Sequence, residues 1–207
     1  MGVRNGPAYH SRMSDPALRK ISEEEYLRTE ELSPFRREYI DGFVYALHGE
    51  DTPNAQAGAA SRHGLICMNI GSALHRVALR QGCRLYQSDM RVRLSQPRFT
   101  RYYYPDLVLT CDPVDAAATF LPSPCLVVEV LSPSIRDPDR REKLFAYTTL
   151  PSVRGYLLVD TATRAARLYV RDGDRWDEQY AEEEGELRLP CLNVPLALSD
   201  IYEGIDL

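Results

Sequence analysis

The sequence predicts an α/β (α+β) domain, a mixed central β-sheet flanked by helices. Three observations carry this. Short β-rich runs such as Arg37–Leu47, Arg84–Leu94 and Leu126–Leu131 alternate with stretches of helical periodicity. The segments Leu107-Val108-Leu109 and Leu126-Val127-Val128 are apolar at every position, as strands covered on both faces are. With 207 residues, 44% hydrophobic and 27% charged, the chain has the size and composition of one domain with a sizeable core.

The elements follow in order. Residues 1–20 mix Gly, Pro, Ser and charges and read as a flexible arm ahead of a single domain over 21–207. Ser22-Glu23-Glu24-Glu25 is a helix start, with Ser22 as cap and Glu25 in the capping-box position; Ser33-Pro34 ends that helix. Arg37–Leu47 reads as a hairpin turning at Asp41-Gly42. Residues 49–60 form a patternless polar loop. A helix from His63 to about Arg80 puts Ile66, Ile70, Ala73, Leu74, Val77 and Ala78 on one face, and Gly82 stops it. Arg84–Leu94 makes one or two strands, with Arg91 and Arg93 on one side.

A strand through Asp106, a Pro/Ala loop over 112–124 and a strand through Glu129 come next. Asp137 to Tyr147 is a helix with Pro138 in its first turn. Gly155–Asp160 is a strand, followed by a hairpin of Ala165–Val170 and Trp176–Tyr180 around residues 171–175. Residues 187–198 give a last extended segment, then a terminal helical turn. No glycine-rich loop links a strand to a helix, so neither a dinucleotide fold nor a P-loop is supported. No stretch has the length of a membrane span, and the amino terminus lacks the apolar core of a secretory signal.

The formal net charge of −5 gives no global attraction to nucleic acid, although a bound metal inverts local charge and leaves phosphodiester chemistry open. The five cysteines, Cys67, Cys83, Cys111, Cys125 and Cys191, include no close pair. They are expected as free buried thiols in a reducing, cytoplasmic setting.

Two carboxylates stand out. Asp106 and Glu129 each interrupt an apolar run, where an unpartnered charge costs several kcal/mol. For Asp106 the plain alternative is a strand-end acceptor of backbone N–H groups. Glu129 shares a strand face with Val127 and Leu131; its plain alternative is a structural pair with an arginine. Hard oxygen ligands on neighbouring strands suit Mg²⁺ or Mn²⁺, about 4 to 6 Å apart if they share one ion. Asp139, Lys143 and Tyr147 lie along one stripe of the following helix, where Asp139 pairing Lys143 is the bland reading. His63 heads its helix and suits either packing or a place near a leaving group. Ser132 is expected to cap the turn after Glu129. Arg91, Arg93, Arg98 and Arg101 with Phe99 and Tyr102–Tyr104 form a basic-aromatic stretch, read equally as a phosphate grip or as an ordinary hairpin surface.

These residues in this order resemble a family of restriction-endonuclease-like proteins of the PD-(D/E)XK superfamily. The family is widespread in bacteria, especially cyanobacteria, and largely uncharacterised. The resemblance spans about Ser22 to Leu198. Arg37-Glu38-Tyr39-Ile40-Asp41-Gly42 is similar to the family's opening strand and turn, and His63 opens the following helix. Pro105-Asp106 is the PD. Glu129-Val130-Leu131-Ser132-Pro133-Ser134 is similar to the Glu-Val-x-Ser-Pro-Ser element, and Asp139, Lys143 and Tyr147 match the Asp-x3-Lys-x3-Tyr helix. The superfamily's usual lysine position is Leu131 here, and the resemblance makes Lys143 its counterpart. The Glu-Tyr-Trp element is reduced to Gly155-Tyr156-Leu157.

The resemblance implies a restriction-endonuclease-like core and a divalent-metal-dependent endonuclease acting on DNA. Asp106 and Glu129, joined by Glu38, would ligate Mg²⁺ or Mn²⁺. Lys143 would position or activate the nucleophile, with His63 and Tyr147 around it. It also implies a homodimer, since two strands of a duplex suit a two-fold assembly. The competing reading is a non-catalytic module that binds nucleic acid or protein and has kept the nuclease fold.

Overall fold

The computed structural model describes residues 19–47, 56–131 and 137–207, the side chains of 56–60 and 137–140 excepted. Most of the expected arm, residues 1–18, lies outside these. Of its end, Arg19 pairs with Glu25 and Lys20 sits over the Phe43 ring.

Helix α1 (Glu23–Glu30) starts where the Ser22 hydroxyl accepts the Glu25 N–H at 3.1 Å. Strands β1 (Arg37–Ile40) and β2 (Phe43–Ala46) form the expected hairpin, paired Ile40 to Phe43. Its turn needs positive φ at both central residues, and Asp41 (52°) and Gly42 (103°) supply it. Helix α2 (Gln56–Arg80) begins seven residues before the expected His63, because Gln-Ala-Gly-Ala-Ala favours helix more than its lack of pattern suggests. It ends at Gly82 (φ 75°), where Cys83 N–H donates to Ala78 O and Gly82 N–H to Leu79 O, a Schellman closure.

Strands β3 (Arg84–Gln87), β4 (Arg91–Gln96), β5 (Phe99–Tyr103) and β6 (Leu107–Thr110) follow. The run through Asp106 is therefore two strands in two sheets, not one. Pro105, with no N–H for a ladder, sits at the break, and Asp106 lies just ahead of β6. The Pro/Ala loop contains β7 (Phe120–Leu121), parallel to β4. Strand β8 (Leu126–Leu131), helix α3 (Asp137–Thr148) and β9 (Gly155–Asp160) follow. Then come β10 (Ala165–Asp172), β11 (Arg175–Glu182), β12 (Glu186–Leu189), β13 (Val194–Ala197) and α4 (Leu198–Ile201).

The central sheet has the order β11-β10-β9-β8-β6-β3 and is mixed: β8 and β9 run parallel, the other pairs antiparallel. A second sheet runs β2-β1-β5-β4-β7, and β12 pairs with β13. Helices flank the central sheet, as expected. Alternation sorts the core. Leu107, Leu109, Leu126, Val128 and Val130 pack with Ile66, Ile70 and Leu74 of α2. Val108, Val127, Tyr156 and Leu158 pack on the other side with Ala146 and Tyr147 of α3 and with Val92, Leu94 and Tyr103 of the second sheet. Leu131 packs with this second group, so Glu129 faces α3.

The cysteines depart from expectation. Cys83 joins Cys111, and Cys125 joins Cys191; only Cys67 is free, and it is buried. The β3–β6 register Arg84↔Thr110, continued by one residue, sets Cys83 opposite Cys111. Cys125 precedes β8, and Cys191 lies in the turn between β12 and β13. Pairing across 28 and 66 residues follows tertiary register and leaves no mark in local spacing. Four of the five cysteines are thus oxidised, contrary to the free thiols expected of a reducing compartment. Among the described residues no helix is long and apolar enough to cross a membrane.

Gly155 explains one departure from the family pattern. A Cβ there would lie 2.9 Å from Leu126 Cδ1 and 3.0 Å from Pro190 Cγ. Gly155→Ala is expected to destabilise the fold by about 1–3 kcal/mol through overpacking, measured by denaturant unfolding. A variant as stable as the parent would show that β8 and the Pro190 turn yield freely.

Candidate functional site

The β6–β8 register Leu107↔Val128, continued by one residue, places Asp106 opposite Glu129. Opposed residues on antiparallel strands project to one side. Asp106 Oδ2 accepts the Val130 N–H at 2.7 Å, which ties it to β8 beside Glu129. The strand-end acceptor role is therefore present, on one oxygen only.

The other oxygen faces α2. His63 Nε2 lies 3.1 Å from Asp106 Oδ1. That hydrogen bond pushes the imidazole above its ordinary pKa, against the opposing effect of burial. On the ring's far side, His63 Nδ1 is 3.7 Å from the Cys67 sulfur. Burial, then the charges of Asp106 and Glu129, push the Cys67 thiol far up. His63, Cys67 and Asp106 make a small cluster able to coordinate a metal, their ligand atoms all within 4.8 Å of one another. Cys67 was missed by sequence reasoning; its signal was the i, i+4 spacing from His63 on a helix.

Glu129 is 8% exposed and Glu38 7%, so both carboxylates are desolvated. Lys143 meets them from α3: its Nζ donates to Glu38 Oε1 at 2.9 Å and lies 3.9 Å from Glu129 Oε1. Tyr147, one turn on and fully buried, directs its hydroxyl to Glu129 Oε1 at 3.4 Å. Burial and the Glu129 charge hold that phenol well above its usual pKa. The ammonium also lies 5.4 Å from the centroid of the Tyr103 ring. Glu38 reaches this place because β1 pairs with β5 in the register Tyr39↔Tyr102, which continues to Glu38 opposite Tyr103. The six residues thus fall into two linked groups. Glu38, Glu129, Lys143 and Tyr147 form one; Asp106 and His63 form the other, joined to it through β8. Ser132, Pro133, Ser134 and Arg136 lie outside the described residues, as does the side chain of Asp139.

The basic-aromatic stretch turns inward. Arg91 is buried among the rings of Tyr26, Tyr102 and Tyr104, and Arg93 pairs with Glu23 at 2.7 Å. Arg101 is bound to Glu142 and Asp41. Of the four arginines only Arg98 is exposed.

The Uma2 family, described as "Putative restriction endonuclease", matches residues 23–201. The chain belongs to this family. It is 33% identical over 189 residues to the uncharacterized protein slr1290 of Synechocystis sp., covering 90% of this chain and 93% of that one. It is 30% identical over 157 residues to sll1609 of the same organism, covering 73% and 81%. A crystal structure titled as a putative nuclease belonging to DUF820, from Anabaena variabilis, superposes with a TM-score of 0.65 at 16% identity. It covers 87% of this chain and 97% of its own. The fold is that of the PD-(D/E)XK nuclease superfamily, with a restriction-endonuclease-like core.

Two outcomes test the electrostatics. Lys143→Ala leaves two buried carboxylates without their ammonium and is expected to cost about 3–5 kcal/mol at pH 7. The loss should shrink in acid, where carboxylates take up protons; equal losses at both pH values would show that charge is not the cause. The His63 pKa, read by NMR in metal-free protein, should exceed about 6.5 and fall back in Asp106→Asn. Because the folded value is raised, the pair's stabilisation is complete below the unfolded pKa. It is lost as pH rises through the folded one. An unshifted His63 would remove the link to Asp106.

Proposed function

We propose that this protein is a divalent-metal-dependent endonuclease that hydrolyses phosphodiester bonds in DNA, with Asp106 and Glu129 as ligands for Mg²⁺ or Mn²⁺. The observation that carries the reading is the delivery of Lys143 from α3 to within 3.9 Å of Glu129, beside an Asp106 opposed to it in the sheet. Two carboxylates on one side of a strand pair offer the hard oxygen donors these ions take. The bound ion would polarise the phosphoryl group and make an attacking water more acidic.

The chain's own residues do the rest. The Lys143 ammonium, held by Glu38, orients the water and offsets charge that develops on the phosphate. Tyr147 fixes Glu129 through its hydroxyl, and the Val130 N–H fixes Asp106. Burial around Glu38, Glu129 and Lys143 keeps competing water away and strengthens each of these interactions. Membership of the family supports the same reading, and a homodimer would present two such sites to the two strands of a duplex.

The test is a cleavage assay with Mg²⁺ or Mn²⁺ on supercoiled, linear and single-stranded DNA and on RNA. Asp106→Ala and Glu129→Ala are expected to lower the rate at least about a hundredfold while circular dichroism is unchanged. If no substrate is cut, and calorimetry finds no metal binding that Glu129→Ala removes, the non-catalytic module becomes the better account.

A further inference from the structure

We propose that His63, Cys67 and Asp106 form a second metal position, for a borderline transition-metal ion of the Zn²⁺ or Co²⁺ class, sharing Asp106 with the hard-cation position. Only that sharing rests on the nuclease reading; the donor set stands by itself.

The chemistry of the three donors differs from that of Asp106 and Glu129. Imidazole, thiol and carboxylate are the ligand types of tetrahedral zinc sites, whereas sulfur is a poor partner for Mg²⁺. Two of the three are pre-arranged for one ion and the third is close by. His63 and Cys67 lie at i and i+4, so one face of α2 presents both, and the start of β6 brings Asp106 to them. The Nδ1–Sγ separation is 3.7 Å and the Nε2–Oδ1 separation 3.1 Å. Donors around one tetrahedral zinc, with bonds of about 2.0 to 2.3 Å, stand about 3.3 to 3.7 Å apart; the Nδ1–Sγ pair already has that spacing, while Asp106 Oδ1 is hydrogen-bonded to the ring's other nitrogen.

The ring now faces Cys67 with one nitrogen and Asp106 with the other. An ion takes one nitrogen and draws in the donor from the far side. All three ligand atoms already lie within 4.8 Å of one another. Three protein donors leave the fourth tetrahedral position to water or a substrate oxygen.

Charge favours an ion here. Cys67 is 2% exposed, and the Asp106 carboxylate stands within 4.8 Å of its sulfur. A divalent ion reverses the sign of that environment. On binding, the S–H bond breaks, the sulfur's electron pair goes to the metal and the proton leaves to solvent; a protonated His63 releases its second ring proton likewise. Hard Mg²⁺ and softer Zn²⁺ then compete for Asp106.

Cobalt spectroscopy tests this without any cleavage assay. The other four cysteines are in disulfides, so a thiolate–Co²⁺ charge-transfer band in non-reduced protein reports Cys67 alone. Metal-free full-length protein titrated with Co²⁺ is expected to show that band, and Zn²⁺ is expected to abolish it at concentrations where Mg²⁺ does not. Cys67→Ser should lose the band. His63→Gln, which keeps the sulfur, should weaken Zn²⁺ binding by at least about tenfold in calorimetry, since even the loss of a ligand's partner costs that much. Glu129→Gln should keep the band while losing metal-dependent cleavage, so that failure of this site and failure of the nuclease reading are separate results. Absence of the band at saturating Co²⁺, its survival in Cys67→Ser, or unchanged Zn²⁺ affinity in His63→Gln overturns the proposal and leaves a hydrogen-bonded Cys–His–Asp chain.

Discussion

A single ammonium holds the centre of this molecule together electrostatically. Lys143 comes from α3, Glu38 from the second sheet and Glu129 from the central one, and all three are nearly removed from water. Neither carboxylate tolerates that burial alone, and the lysine does not either. The three elements are therefore obliged to meet. Tyr103 and Tyr147 wall the same place with apolar ring surface, their centroids 5.6 Å apart, so the charges sit in a setting where pairing is strong and separation costly. Stability and placement of reactive groups are here one constraint. A change that frees the lysine also unsettles the packing of α3 between the two sheets.

The second constraint is register. Asp106 and Glu129 come together only because β6 and β8 pair antiparallel with Leu107 against Val128. A slip by one residue would turn every side chain of β6 to the opposite face, exchanging Val108 for its neighbours in both cores. The two cores hold the register in place. Pro105 adds a boundary by ending the ladder at Asp106, so that one carboxylate oxygen caps β8 and the other remains beside α2.

These constraints explain what could be read in the chain and what could not. The Ser22 cap, the Asp41-Gly42 turn, the Gly82 stop and the face of Glu129 depend on neighbours a few residues away, and each was legible. The start of α2 was not, because an Ala-rich segment without apolar rhythm carries propensity but no pattern. The disulfides were not, because register across separate strands decides them. The meeting of Lys143 with Glu38, 105 residues apart, has no local signature either. Only resemblance to a family pointed to those residues together, and Glu38 taken alone read as a surface residue. The arginines misled in the opposite sense: Arg91 and Arg93 look like a surface grip until α1 is seen to cover them with Tyr26 and Glu23.

Asp106 stands where two kinds of chemistry meet. Toward β8 its neighbours are a backbone N–H and an opposing carboxylate; toward α2 they are an imidazole and, behind it, a buried thiol. A carboxylate with hard partners on one side and nitrogen and sulfur on the other is not neutral in its choice of cation. The hydrogen bond from His63 orients the group, yet it also gives a softer ion a reason to settle on the same oxygen. Cys67 sharpens this asymmetry. It sits among the apolar side chains of α2 and could be any small hydrophobe for packing, but as a thiol it places the one cysteine outside a disulfide beside the imidazole that holds Asp106. The identity of a single buried side chain on α2 thus decides which donor atoms stand around that carboxylate.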